Sequence, residues 1–351
     1  MKNIVILATG GTIAGAGEQG KDIGYKSGAV DAQTLIDAVP ELKNVANIRV
    51  EQVCNINSDD ITSGIWISLA LRIKELSRCD DVDGFVIMHG TDTMEETALF
   101  LRLVLGCTPR SASEYVVKPV VLTGSMRPST AAKPDGPANL LFAVECAVSL
   151  HTVIPDSMSP RIYSGAGSPS RVESSSSDKE RESSAVYVAF AGKVMDACSV
   201  QKVHANDLDA FAELSSRTPF RDHLLVNAKN SFDISNLREL PRVTVLYFNA
   251  DADAELVRFA ADRSAGLVIA GAGAGEFSQS WADAIAGVIK EKNIPVVVST
   301  RINRGSVVPE QLLVPGTIAA YDLPPAKAAV LLRLALTTTT DPAKIQEMFS
   351  F

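Results

Sequence analysis

Short apolar runs alternate along this chain with segments in which apolar residues recur every three or four positions. Residues 4–8, 85–88, 120–122, 186–190, 243–248, 267–270 and 296–299 are runs of the first kind. Several are apolar on consecutive residues. Because strand side chains alternate between faces, such a run predicts a strand covered on both sides. Trp66, Leu69, Ile73 and Leu76 repeat at helical spacing, as do Leu99 and Leu103, and Leu140, Ala143, Val144 and Ala147. The alternation predicts an α/β fold. A larger N-terminal domain should carry a mostly parallel twisted sheet flanked by helices, followed by a smaller α/β C-terminal domain.

Two stretches break the pattern. Residues 151–184 are rich in Ser, Pro and charge, with an unbroken Ser run at 174–177. They have too little apolar surface to offset their ordering entropy, so a solvent-exposed, disordered insertion is expected there. Residues 215–240 are polar and hold Pro219, with Pro241 just beyond, which predicts a linker. The expected organisation is therefore an N-terminal domain over 1–214, a linker over 215–240 and a C-terminal domain over 241–351. A length of 351 residues, 46% hydrophobic, is consistent with two domains.

Charge and composition narrow the function. A net charge of -8 argues against nucleic acid or an anionic membrane as the main partner. No segment approaches the ~20 apolar residues that span a bilayer. The first residues read directly as a strand, without the charged head and long apolar stretch of a signal peptide. A cytoplasmic location is expected on that basis, unless a presequence has been left out. Cys54, Cys79, Cys107, Cys146 and Cys198 form no CxxC pair, so no metal site is expected, and buried free thiols are the default.

Two threonine-bearing turns carry the candidate chemistry. Ala8-Thr9-Gly10-Gly11-Thr12 follows the first apolar run, and His89-Gly90-Thr91-Asp92-Thr93 follows the second. Ligands of open α/β sheets sit at the carboxyl ends of strands. Two hydroxyls there, one beside a carboxylate, point to nucleophilic hydrolysis. A phosphate loop is excluded because no Lys-Ser/Thr follows the glycines, and the spacing of Gly10, Gly11, Gly15 and Gly17 does not match a dinucleotide fingerprint. Taken alone, Thr12 reads equally as a turn or helix cap. Gly15, Gly17, Gly20, Gly24 and Gly28, with Tyr25 among them, suggest a mobile loop, either a lid or an ordinary surface loop.

The second turn is more specific. Thr93-Met94-Glu95-Glu96 fits a capping box, and acids at Glu95 and Glu96 suit a helix N-terminus. Asp92 is placed to receive a substrate ammonium or to hold a lysine. His89 reads as a structural turn residue, with a general base as the alternative. A third strand end leads into Gly124-Ser125-Met126-Arg127-Pro128. A fourth turn, Asn57-Ser58-Asp59-Asp60, offers Ser58 and Asp59 either to an amino acid's carboxylate and amine or as caps of a helix beginning near Ser63.

Together these segments resemble the bacterial-type L-asparaginases, a family that includes the glutaminase-asparaginases. The resemblance rests on the runs from Ile6 to Gly15 and from His89 to Ala98, on Gly124-Ser125-Met126-Arg127-Pro128-Ser129, and on Asp135-Gly136-Pro137 with Asn139-Leu140. Phe232-Asp233-Ile234-Ser235 to Leu240-Pro241 and the stretch from Leu336 to Gln346 extend it over nearly the whole chain. It implies a cofactor-free amidohydrolase that converts L-asparagine to L-aspartate and ammonia, with L-glutamine slower, assembled as a homo-oligomer (a dimer of dimers).

On matching positions, the resemblance implies that Thr12 is the primary nucleophile, assisted by Tyr25, and Thr91 the second catalytic hydroxyl. Lys202 stands where the family has its lysine, with Asp92 beside it. Ser58, Asp59, Thr91, Asp92 and Ser125 become the substrate-binding set. Cys79 and Cys107 coincide with a disulfide pair of some secreted members. The chain departs from the family at Asp59 (commonly Gln), at Ala274 (often Asn) and at Leu312, near a family Glu. The last two belong to residues that reach a neighbouring subunit's site. A catalytically weak amino-acid-binding homologue is the alternative they raise.

Overall fold

A computed structural model describes residues 1–21, 24, 26, 28–105, 118–150, 186–214 and 232–349. Tyr25, Cys107 and the expected insertion at 151–184 lie outside the described residues, as does most of the expected linker. The chain divides into two compact units, Met1–Glu213 and Leu214–Phe351.

In the first unit the order is β1 (Lys2–Gly10), α1 (Ala32–Asp37), α2 (Leu42–Val45), β2 (Ala46–Ile56), α3 (Ser63–Ser77), β3 (Gly84–Met88), α4 (Met94–Leu105), β4 (Val120–Thr123), α5 (Gly136–Leu150), β5 (Val186–Phe190), β6 (Lys193–Asp196), β7 (Val200–Lys202) and β8 (Phe211–Glu213). Six strands form one sheet in the order β2-β1-β3-β4-β5-β6. All neighbours run parallel except β5 and β6. The mixed α/β character and the mostly parallel sheet are as expected. Strands β3 and β4 are buried at every residue, which accounts for their unbroken apolar sequences.

Helix α5 covers one face of the sheet, with Leu140, Ala143, Val144 and Ala147 packed among Ile4, Ile6, Val86 and Val121. Trp66 of α3 stacks on Phe100 of α4, with ring centroids 5.2 Å apart. Helix α3 begins at Ser63, as its spacing predicts, but Thr62 caps it by accepting from the Ile65 N–H. Ser58 and Asp59 instead sit in a separate 3-10 turn, Ser58–Asp60. That corrects the reading of these two as caps of α3 and leaves their side chains available for other work.

The second unit builds a smaller parallel sheet from β9 (Val243–Tyr247), β10 (Gly266–Gly271), β11 (Val296–Thr300) and β12 (Ile318–Ala319), in the order β12-β11-β10-β9. Its helices are α6 (Glu255–Ala261), α7 (Gln279–Lys292), α8 (Pro325–Ala335) and α9 (Pro342–Phe349). Trp281, Ile285 and Val288 of α7 pack with Val257 of α6 against Leu267, Ile269 and Val298. Among the described residues, no helix is long and apolar enough to cross a membrane.

Cys54, Cys79, Cys146 and Cys198 are free thiols. Cys146 and Cys198 are buried and the other two half-buried. Burial pushes the Cys146 thiol up to about 12, so it is inert at neutral pH.

Candidate active site

Four turns leave the carboxyl edge of the first sheet from β2, β1, β3 and β4. The strand order places these four strands side by side, so turns distant in sequence become neighbours. The turn after β1 is fixed from both sides. Gly11 donates its N–H to the Ile56 carbonyl at 2.9 Å, at the end of β2. On the other side a Cβ added to Gly11 would lie 2.4 Å from Gly90 Cα. Gly11 also has φ +81°, a conformation that strains any residue with a Cβ. Backbone therefore packs on backbone between the two threonine turns. Thr12 opens a 3-10 turn, Thr12–Ala14, whose next two residues, Ile13 and Ala14, are buried.

Between these turns lies a polar pocket of about 220 Å³, lined by Gly11, Thr12, Asn57, Ser58, Asp59, Gly90 and Asp92. It is smaller than the ~300–1,000 Å³ usual for drug-sized ligands, a size suited to a free amino acid. The expected residues Thr12, Ser58, Asp59 and Asp92 thus share one wall system.

His89 is fully buried, and burial lowers its pKa to about 4. Its Nδ1 stands 2.7 Å from the Gly90 carbonyl and its Nε2 2.9 Å from Thr97 Oγ1. A carbonyl only accepts, so Nδ1 carries the proton and Nε2 accepts from the Thr97 hydroxyl. That hydroxyl in turn accepts from Trp66 Nε1 at 2.8 Å. Both ring nitrogens are occupied, and His89 is a structural residue of the turn, the reading preferred from sequence.

Thr91 and Asp92 follow. The Asp92 N–H donates to Ser58 Oγ at 3.2 Å, and Thr93 Oγ1 donates to the Ser58 carbonyl at 2.7 Å. Because Ser58 Oγ accepts from Asp92, its own proton is available to a carboxylate entering the pocket. Thr93 stands at the position before α4, as the capping reading expects, and this bond also ties it to the fourth turn.

Lys202 arrives from a hairpin that the apolar pattern did not reveal. Strand β7 pairs antiparallel with β8, Lys202 opposite Phe211. Lys202 Nζ donates to Thr91 Oγ1 at 3.0 Å and pairs with Asp92 Oδ1 at 2.6 Å. The lysine side chain is only 15% exposed, whereas Asp92 is 69% exposed. A sheltered amine therefore faces a hydroxyl, while its carboxylate partner reaches toward water and the pocket.

Ser125 lies in the turn after β4. It is fully buried, and its hydroxyl donates to the Arg127 carbonyl at 2.8 Å. It shapes its turn, whose backbone is also held by Asp135 through the Met126 and Arg127 N–H groups. Ala16 and Lys26 exchange backbone hydrogen bonds, and Gly17 and Gly20 donate to Thr130.

Sequence reasoning passed over two residues. Asn57 lines the pocket; its place beside Ser58 was the available signal. Glu95, read only as a helix-dipole acid, accepts the backbone N–H of Lys202, a contact that no local pattern could announce.

Comparison with known proteins follows the same outline. The family model for the asparaginase N-terminal domain matches residues 3–169, and that for the glutaminase/asparaginase C-terminal domain matches residues 242–349. The chain is 37% identical to L-asparaginase 2 of Escherichia coli over 100% of its own length and 93% of the relative's. It is 38% identical to L-asparaginase 2 of Bacillus subtilis, covering 100% of the chain and 86% of that protein. The chain belongs to the asparaginase family. A solved structure of a probable cytoplasmic L-asparaginase from Campylobacter jejuni superposes with a TM-score of 0.80 at 36% identity, covering 99% of both chains. Family membership and the fold therefore stand on sequence and structure together.

Proposed function

We propose that this chain hydrolyses L-asparagine to L-aspartate and ammonia, with L-glutamine as a slower substrate. The observation that carries the reading is the contact of Lys202 Nζ with Thr91 Oγ1 at 3.0 Å, beside a pocket that Thr12 and Asp92 both line. The names of the relatives support it: they include L-asparaginases and the glutaminase-asparaginase of Pseudomonas fluorescens.

An amide carbon is a poor electrophile and a neutral threonine a poor nucleophile, so the reaction needs a base. In the proposed sequence the substrate's α-ammonium is received by Asp92 and Asp59, and its α-carboxylate by Ser58. Acting as the base, Lys202 takes the Thr91 proton as Thr91 takes that of Thr12. The Thr12 oxygen bonds to the side-chain carbonyl carbon, and backbone N–H groups of the strand-end turns hold the developing oxyanion. Collapse breaks the C–N bond, the proton passes to the nitrogen, and ammonia leaves an acyl-threonine. Water then attacks the ester, returns a proton to Thr12 and releases L-aspartate. Tyr25 is proposed to assist Thr12. A homotetramer and a cytoplasmic location are proposed alongside, the latter supported by the similarity to the probable cytoplasmic L-asparaginase of Campylobacter jejuni.

The test is an ammonia-release assay on L-asparagine and L-glutamine with the wild type and Thr12→Val. Wild-type turnover on both, faster on asparagine, is expected. The variant should lose on the order of 10³-fold or more in rate with unchanged circular dichroism. Undiminished turnover in the folded variant overturns the role of Thr12.

A further inference from the structure

The base in the proposed reaction sits on a strand of three residues at the edge of a two-stranded ribbon. Such a strand has few hydrogen bonds to hold it. The backbone next to Lys202 is satisfied on the β8 side, where Val203 donates to the Ala210 carbonyl at 2.8 Å. The Lys202 N–H points elsewhere. It donates to Glu95 Oε2 at 2.5 Å, although 107 residues separate the two in sequence. Glu95 lies in the first turn of α4, three residues beyond Asp92. One short segment therefore grips one lysine at both ends: Asp92 holds the side-chain nitrogen and Glu95 holds the backbone.

We infer that Glu95 is a positioning residue for Lys202. It supplies the acceptor that a neighbouring strand would otherwise provide, and so sets where the Lys202 nitrogen stands relative to Thr91. The inference rests on Lys202 being the base. Displacing a catalytic group by about 1 Å costs on the order of 10²-fold in rate. Loss of this tether should therefore appear in the chemical step while the pocket that binds substrate stays formed.

The experiment compares Glu95→Gln and Glu95→Met with the wild type and Lys202→Met, measuring kcat, KM and the affinity for L-aspartate by calorimetry. Gln keeps an acceptor at the same reach, whereas Met keeps length and helix propensity without one. Expected is a kcat about 10- to 100-fold lower in Glu95→Met, KM and L-aspartate affinity within about threefold of wild type, and kcat within about threefold for Glu95→Gln. Wild-type kcat in Glu95→Met overturns the inference. So does an equal loss in Glu95→Gln, which would mark a need for charge and not for an acceptor. If Glu95→Met does not fold, the result from Glu95→Gln together with Glu95→Leu decides in the same way. Full turnover in Lys202→Met would instead overturn the underlying mechanism, and with it the inference.

Discussion

At the residue scale, the site is made of groups each held in place by a few near neighbours. Lys202 is sheltered and shared between a hydroxyl and a carboxylate. His89 shows the opposite use of burial. Its imidazole, normally near 6.5, titrates at about 4 because it is fully buried, and it stays neutral through the physiological range. The unfolded chain binds that proton more readily, so native stability is fully present above about pH 6.5 and is lost as pH falls toward 4. At about 1.4 kcal/mol per pH unit, the loss amounts to about 3 kcal/mol. Urea midpoints measured at pH 7, 5.5 and 4 should therefore fall more steeply for the wild type than for His89→Gln. Equal slopes would show that His89 binds its proton as readily in the folded protein as in the unfolded chain. Thr12, Thr91, Asp92, Ser58 and Asp59 were legible in the sequence because each lies in a turn right after, or close behind, a strand. Glu95 was not, since the strand that it contacts lies 107 residues further along.

At the scale of elements, the two threonine turns depend on glycines that let backbones touch. Gly11 combines φ +81° with a missing Cβ that would stand 2.4 Å from Gly90 Cα. Gly11→Ala is therefore expected to cost more than about 1 kcal/mol of stability and to lower ammonia release by moving Thr12. Thermal unfolding and turnover of the variant check both; a variant unchanged in both would mean that the turns do not pack this way. The fully buried strands were read correctly because their consecutive apolar residues carry a strong signal. Strand β2 escaped, because it lies at the sheet edge with exposed and half-buried residues interspersed, so its apolar positions never run together. Strands β6 to β8, of three or four residues each, are too short for periodicity to show. One of them carries Lys202.

For the whole molecule, the proposed tetramer gives a further measurable outcome. Leu256 and Phe259, three residues apart on α6, are 48% and 58% exposed. Large apolar side chains grouped this way favour cover by another chain. Sedimentation velocity at micromolar concentration is expected to show a four-chain species; a monomer with full turnover would contradict the proposed assembly. The chain's own sequence determined that the fold is α/β with a mostly parallel sheet. It also determined that threonines stand at two strand ends, since burial on both faces and tight turns write themselves into local patterns. Only the tertiary structure decided that the second, first and third strands lie side by side in the order β2-β1-β3, that Ser125 turns inward, and that a lysine from a three-residue strand meets Thr91 and Asp92. Those outcomes depend on strand order and long-range hydrogen bonding, which no stretch of adjacent residues encodes.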